Sequence, residues 1–116
     1  MMKHYHLYVF TQDNCAPCTR LKEHLETLTD DERAELDIVP LKTSAGSRTA
    51  LAEELQVELS PTLVVVSEEQ QCSLEPDGEE FCTQYEEPVE RYTGATSIIS
   101  NLFSTLDAYT YSHPEV

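Results

Sequence analysis

Residues 5–10, "YHLYVF", form a nearly unbroken apolar and aromatic run of strand length, the pattern of a central strand covered on both faces. Leu21, Leu25 and Leu28 then recur at helical spacing, with Arg20, Lys22, Glu23 and Glu26 on the other faces. Asn14 is the expected N-cap of this helix, Pro17 fits its first turn, and its end is expected near Thr29. "TDDE" reads as a capping box for one further short helical turn. A second strand is predicted over 35–42, "ELDIVPLK", followed by a loop through Gly46. A second helix is predicted in "RTALAEELQV", with Ala50, Leu51, Leu55 and Val57 inward, and a β-branched strand in "SPTLVVV". Near the C-terminus Thr96 is the expected cap of a helix with the stripe Ile98, Ile99, Leu102, Phe103 and Leu106. Residues 110–116 read as a frayed tail. The order is β-α-β-α-β-β-α, and the chain is read as one domain, 1–116.

Residues 67–91 carry a hairpin signal. In "EPDGE", residues 75–79, Pro76 presets the first turn residue and Gly78 supplies the left-handed position of a three-residue loop. This loop places Glu75 opposite Glu79, Ser73 opposite Phe81 and Cys72 opposite Cys82. Continued inward, it places Val64 opposite Glu90 and Thr62 opposite Tyr92, unless a bulge or Pro88 shifts the register by one. The inner half of the hairpin then lies in the sheet, and an extension over about 67–87 projects from it.

Composition narrows the function. The chain has 116 residues, 22 acidic and 7 basic, for a net charge of −15. That charge argues against binding nucleic acid or an anionic membrane through a basic face, and against small anionic substrates unless a local basic pocket exists. No apolar run approaches the roughly 20 residues of a membrane span. "MMKHYHLYVF" lacks the pattern of a secretory signal, so the expected location is the cytoplasm, where thiols stay reduced.

Cys15 and Cys18 lie two residues apart between the first strand and the first helix. Such a pair can be half a zinc site, a structural disulfide or a catalytic dithiol. Zinc needs four ligands, and Cys72 and Cys82 complete an all-cysteine set only if the hairpin folds back to the first helix. Facing each other across a hairpin, those two cysteines are either two inert thiols or, once oxidised in air, a structural disulfide. Closing that loop stabilises the fold by at most about 3 kcal/mol. Neither sits at a helix N-terminus, so they do not form a second active site. His4 and His6 share a strand face, and two ligands alone bind a metal weakly; with His24 and His113 they read first as surface or strand-edge residues.

"CAPC" between strand and helix, "SPT" 43 residues after Cys18, and Gly94 before the last helix together resemble the thioredoxin superfamily. The resemblance covers roughly residues 4–66 and 88–108. It implies an α/β thioredoxin-like fold: a central four-stranded mixed sheet flanked by helices, here with an extended acidic β-hairpin between the last two strands. It further implies a thiol–disulfide oxidoreductase in which Cys15 is the nucleophile and Cys18 the resolving thiol. Ala16, Pro17, Ser60, Pro61 and Gly94 then border the substrate, with Pro61 cis. The implied partners are a disulfide reductase as electron donor and protein disulfides as acceptors, ribonucleotide reductase among them. No metal or cofactor is implied beyond the redox-active disulfide, and a monomer is expected.

The chain departs from the family pattern in its tuning residues. Thioredoxins carry a tryptophan before the motif and a buried aspartate six residues before the first cysteine, where Asn14 and Val9 stand here. Lys42 stands on the second strand without that aspartate. The direct start at the central strand and "FTQDNC" resemble glutaredoxins, yet "TGATS" replaces their glutathione-holding Gly-Gly-x-Asp-like stretch. Two other readings stand beside the leading one: a glutathione-linked glutaredoxin, and a thioredoxin-fold binding module that docks a partner on its acidic hairpin.

Overall fold

A computed structural model describes residues 4–110, excepting the side chains of His4, Glu69, Gln70, Gln71, Gln84 and Tyr85. Residues 111–116, most of the expected tail, lie outside the described residues. The elements are β1 His4–Thr11, α1 Ala16–Leu25, α2 Asp30–Ala34, β2 Leu36–Pro40, α3 Ala50–Glu54, β3 Thr62–Leu74, β4 Glu80–Thr93 and α4 Ala95–Tyr109. The sheet order is β2-β1-β3-β4, with β1 and β2 parallel and the other neighbours antiparallel. This is the mixed four-stranded sheet expected from the sequence.

Strand periodicity divides the interior in two. Leu7, Val9, Leu63 and Val65 face α1 and α4, where they meet Leu21, Leu25, Ile98, Leu102 and Leu106. Phe10, Val64 and Val66 face the other way and pack on Ala52, Leu55 and Val57 around α3. The continuous run Leu63–Val66 is wholly buried because β3 is covered on both faces there. Helix α3 is only five residues long, so it covers just the part of its face near Phe10. Further along that face Tyr8 is held above its ordinary phenol pKa, by burial first and then by the carboxylates of Glu86, Asp37 and Glu68.

Several boundaries differ from the sequence reading. Helix α1 ends at Leu25 rather than near Thr29, because Thr29 and Glu32 form the expected capping box and begin α2 there. Strand β2 stops at Pro40, and Lys42 forms an isolated bridge with Arg48. On α3, Ala52 takes the buried position and Ala50 is exposed. Helix α4 starts at Ala95 with Gly94 as N-cap; the Thr96 hydroxyl does not cap it but accepts a hydrogen bond from Arg20, 2.8 Å away. Phe103 is 67% exposed, since the buried row Ile98–Leu102–Leu106 leaves it on the outer side of α4.

The hairpin follows the expected register at its outer end: Cys72 pairs with Cys82, Ser73 with Phe81, and Glu75 N–H donates to the Glu79 carbonyl at 2.7 Å. Inward, the register shifts by one between Val65 and Val66, so Val64 faces Arg91 and Thr62 faces Thr93. Val66 pairs with Pro88 and Val65 with Glu90, which places the irregularity at Val89, directly after a proline that has no N–H to donate. Among the described residues β1 follows β3 only as far as Glu68, and beyond it the hairpin is a two-stranded ribbon. Arg91 anchors its base by donating to the carbonyls of Leu55 and Gln56 at the end of α3.

Leu21 is fully buried between α1 and the sheet. Leu21→Ala is expected to destabilise the fold by about 2–5 kcal/mol, read as a lowered midpoint in urea unfolding; an unchanged midpoint would show that α1 does not pack as described.

Candidate active site

Strand β1 delivers the chain to Thr11, and a turn through Asp13 and Asn14 leads into α1. Asn14 has φ 55°, a left-handed conformation that asparagine tolerates, so it is not the N-cap expected from the sequence. Cys15 is the N-cap, with extended φ −119° and ψ 104°. Pro17 has no N–H, and the Cys18 N–H three residues beyond the cap donates to Cys15 Sγ at 3.2 Å. The sulfur thus takes the place a serine or aspartate oxygen holds in an ordinary cap. The Cys15 carbonyl accepts from the Thr19 N–H at 3.1 Å, which fixes the first turn below the sulfur.

The two cysteines are joined in a disulfide with Cα atoms 5.2 Å apart, and their surroundings differ. Cys18 is 1% exposed, whereas Cys15 is part-exposed beside the exposed Ala16 and Pro17. Opposite Cys15 lies the cis Ser60–Pro61 bond. The Ser60 carbonyl oxygen is 3.8 Å from Cys15 Sγ, and Ser60 Oγ donates to the same sulfur at 3.6 Å. Gln12 Nε2 donates to Ser60 Oγ at 2.7 Å and so holds this residue from the β1 side. On the other side the Gly94 N–H donates to the Pro61 carbonyl at 2.8 Å. Gly94 has φ 91°, and open space surrounds the place of its missing side chain, so the backbone angle is what selects glycine.

The sequence-expected residues Cys15, Ala16, Pro17, Cys18, Ser60, Pro61 and Gly94 therefore meet at one end of the sheet. Cys72 and Cys82 do not join them. They form their own disulfide, both exposed, with Cα atoms 4.1 Å apart. Cys72 is 11 residues beyond Pro61 along an extended strand, a distance of about 36 Å. The four-cysteine zinc set weighed from the sequence is thereby overturned.

Two features had no sequence signal. Gln12 reaches Ser60 across a separation of 48 residues, and Arg20 of α1 holds Thr96 of α4. A cleft of about 400 Å³ adjoins the motif, with Gln12, Asp13, Pro40, Lys42 and Thr43 in its walls. Lys42 supplies this cleft with a positive charge in a strongly acidic protein. Val9, in place of the family's aspartate, is buried in the apolar core shared with α1 and α4.

The sequence profile of the thioredoxin family matches residues 2–91. No individual curated protein matches the sequence significantly. Among solved structures, a Thermus thermophilus thioredoxin aligns with TM-score 0.56 and 16% identity, covering 95% of this chain and 77% of its own. Chlamydomonas reinhardtii thioredoxin f2 gives 0.55 and 19%, with 99% and 85% covered. Fasciola hepatica thioredoxin gives 0.54 and 20%, with 92% and 82% covered. At these identities the structural likeness speaks for the fold. The family profile spans most of the chain and includes the Cys15–Cys18 motif, and the chain belongs to the thioredoxin family.

Proposed function

We propose that the protein is a thiol–disulfide oxidoreductase that reduces protein disulfides through Cys15 and Cys18. The observation that carries this reading is the Cys15 sulfur at the N-terminus of α1, open to solvent, facing Ser60, with Cys18 buried behind it. A sulfur in this place favours the thiolate once reduced, because the Cys18 N–H and the helix dipole stabilise negative charge on it. The Ser60 hydroxyl, held by Gln12, adds a second donor.

The Cys15 thiolate attacks one sulfur of a substrate disulfide, forming a mixed disulfide and expelling the other substrate sulfur as a thiolate that takes up a proton. Cys18 then loses its proton and attacks Cys15 Sγ. The second substrate thiol leaves, and the Cys15–Cys18 disulfide closes. Two electrons pass to the substrate, and a disulfide reductase returns them to the pair. With valine at position 9, no carboxylate stands where the family places the acid that assists the resolving thiol. The backbone at Ser60 and Pro61, backed by Gly94, flanks an extended substrate segment. A cytoplasmic monomer fits this role, and ribonucleotide reductase is one acceptor of the right chemical kind. "TGATS" offers no carboxylate to a glutathione amine, which favours protein disulfides over glutathione as substrate.

One observation favours a second activity on the same chain. Leu74 and Phe81 are 77% and 60% exposed on the outer ribbon, and residues 67–90 contain nine acidic side chains and no basic one. That combination suits docking of a basic partner with an apolar contact.

Cys15→Ser is expected to reduce insulin-disulfide reduction to background, while Cys18→Ser accumulates mixed disulfides seen by mass spectrometry. Full activity in the Cys15 variant would end the proposal. Ser60→Ala is expected to slow the exchange several-fold and to raise the pH at which Cys15 reacts with iodoacetamide; an unchanged pH profile would remove Ser60 from the site. Replacing residues 70–84 with an Asn-Gly turn is expected to leave insulin reduction intact and to abolish partner docking, so retained docking after truncation rules out the ribbon.

A further inference from the structure

A second cluster of chemically capable side chains lies on the sheet face that α3 leaves partly open. By the strand register His6 of β1, Glu68 of β3 and Glu86 of β4 stand on this face, and Glu68 and Glu86 are direct cross-strand partners. His6 Nε2 lies 2.9 Å from Glu68 Oε2. One ligand atom from each of His6, Glu68 and Glu86 falls within 4.8 Å of the other two. This extends the sequence reading of His4 and His6: the side chain of His4 lies outside the described residues, and the tertiary fold brings two carboxylates to His6 instead.

Carboxylates directly opposite each other on neighbouring strands repel. A divalent cation between them offsets the charge of both. The donor set, one imidazole nitrogen and two carboxylate oxygens, matches a borderline ion such as Zn2+. Three atoms no more than 4.8 Å apart leave a central point no more than about 2.8 Å from each of them. The side chains therefore close by less than about 1 Å to reach the roughly 2.1 Å of a zinc bond.

Tyr8 supplies an independent observation. Its hydroxyl donates to Glu86 Oε1 at 3.5 Å, and its ring stacks on His6 with centroids 6.0 Å apart and planes 18° apart. One residue thus orients two of the three donors, as outer-shell partners do around bound metals. The net charge of −15 adds a general attraction for cations.

We propose that His6, Glu68 and Glu86 bind a divalent cation of the zinc type, oriented by Tyr8. The site ties β1, β3 and β4 together at the base of the ribbon. It lies five residues back along β1 from Thr11, about 17 Å from the dithiol end of that strand, so the ion is structural and takes no part in the exchange.

The test uses the oxidised protein, in which all four cysteines are in disulfides and no thiolate competes. It is titrated with Zn2+ against a chromophoric indicator, and its melting temperature is followed in parallel. One saturable equivalent is expected, with a melting temperature that rises with zinc. His6→Ala and Glu86→Gln are each expected to weaken binding at least about tenfold and to abolish the thermal shift. Tyr8→Phe should weaken it less, and His24→Ala, distant on α1, should bind as the wild type does. Insulin reduction measured without metal checks that each variant is folded. Uptake that is weak and non-saturable, or unchanged in His6→Ala and Glu86→Gln, would overturn the proposal and leave only general attraction to an acidic surface. An equal loss in His24→Ala would overturn it as well.

Discussion

The contact between the Cys18 N–H and the Cys15 sulfur is the one on which the site depends. It makes the reactive atom part of the helix cap, so the start of α1 and the placement of the sulfur are one event. Pro17 contributes by withholding a competing donor from that first turn. Because the sulfur is fixed by backbone, the opposing wall can be fixed by backbone too. The Gly94 N–H bonds the Pro61 carbonyl, and the Ser60 carbonyl lies 3.8 Å from the sulfur. Side chains then adjust the site. Gln12 orients the Ser60 hydroxyl, and Val9 adds an apolar side chain to the core under α1 and α4.

The sheet allows this by being filled on both faces at that end. Leu63 to Val66 are buried from both sides, so the start of β3, and with it Ser60 and Pro61, is held against β1. Toward the other end the two faces diverge. Helix α4 continues beside β1 to the Tyr5–Tyr109 contact, with ring centroids 4.8 Å apart, while α3 stops early and leaves His6, Tyr8, Glu68 and Glu86 beside solvent. Dithiol and carboxylate cluster are thus separated along the sheet, one beyond the end of β1 and the other where the ribbon leaves the sheet. The ribbon carries its own disulfide, which suits a two-stranded hairpin that is marginally stable alone in water and whose described side chains beyond Glu68 are mostly exposed.

Much of this was legible in the sequence, wherever one short stretch fixed the outcome. The periodicity of Leu21 and Leu25, the Thr29–Glu32 capping box and the turn at Pro76–Gly78 are local, and each formed where expected. The pairing of Cys72 with Cys82 followed from that turn alone, since a tight loop sets the register of the strands beside it. Register was lost only past Pro88, where an irregularity at Val89 shifted it by one. Helix limits moved as well. Asn14 is left-handed and leaves the cap to Cys15, whose sulfur takes the Cys18 N–H, whereas the Thr96 hydroxyl is claimed by the distant Arg20 and the cap falls to Gly94.

By itself the sequence determined the elements, their order, the dithiol motif and the hairpin, because these rest on contacts between residues a few positions apart. Only the tertiary structure decided which distant groups meet: Gln12 with Ser60, Gly94 with Pro61, and His6 with Glu68 and Glu86. Those meetings depend on strand order and on the parity of each strand, which assigns a side chain to one face or the other. No local pattern encodes that assignment across separations of 30 to 80 residues, so the chemistry of the motif was readable while its surroundings were not.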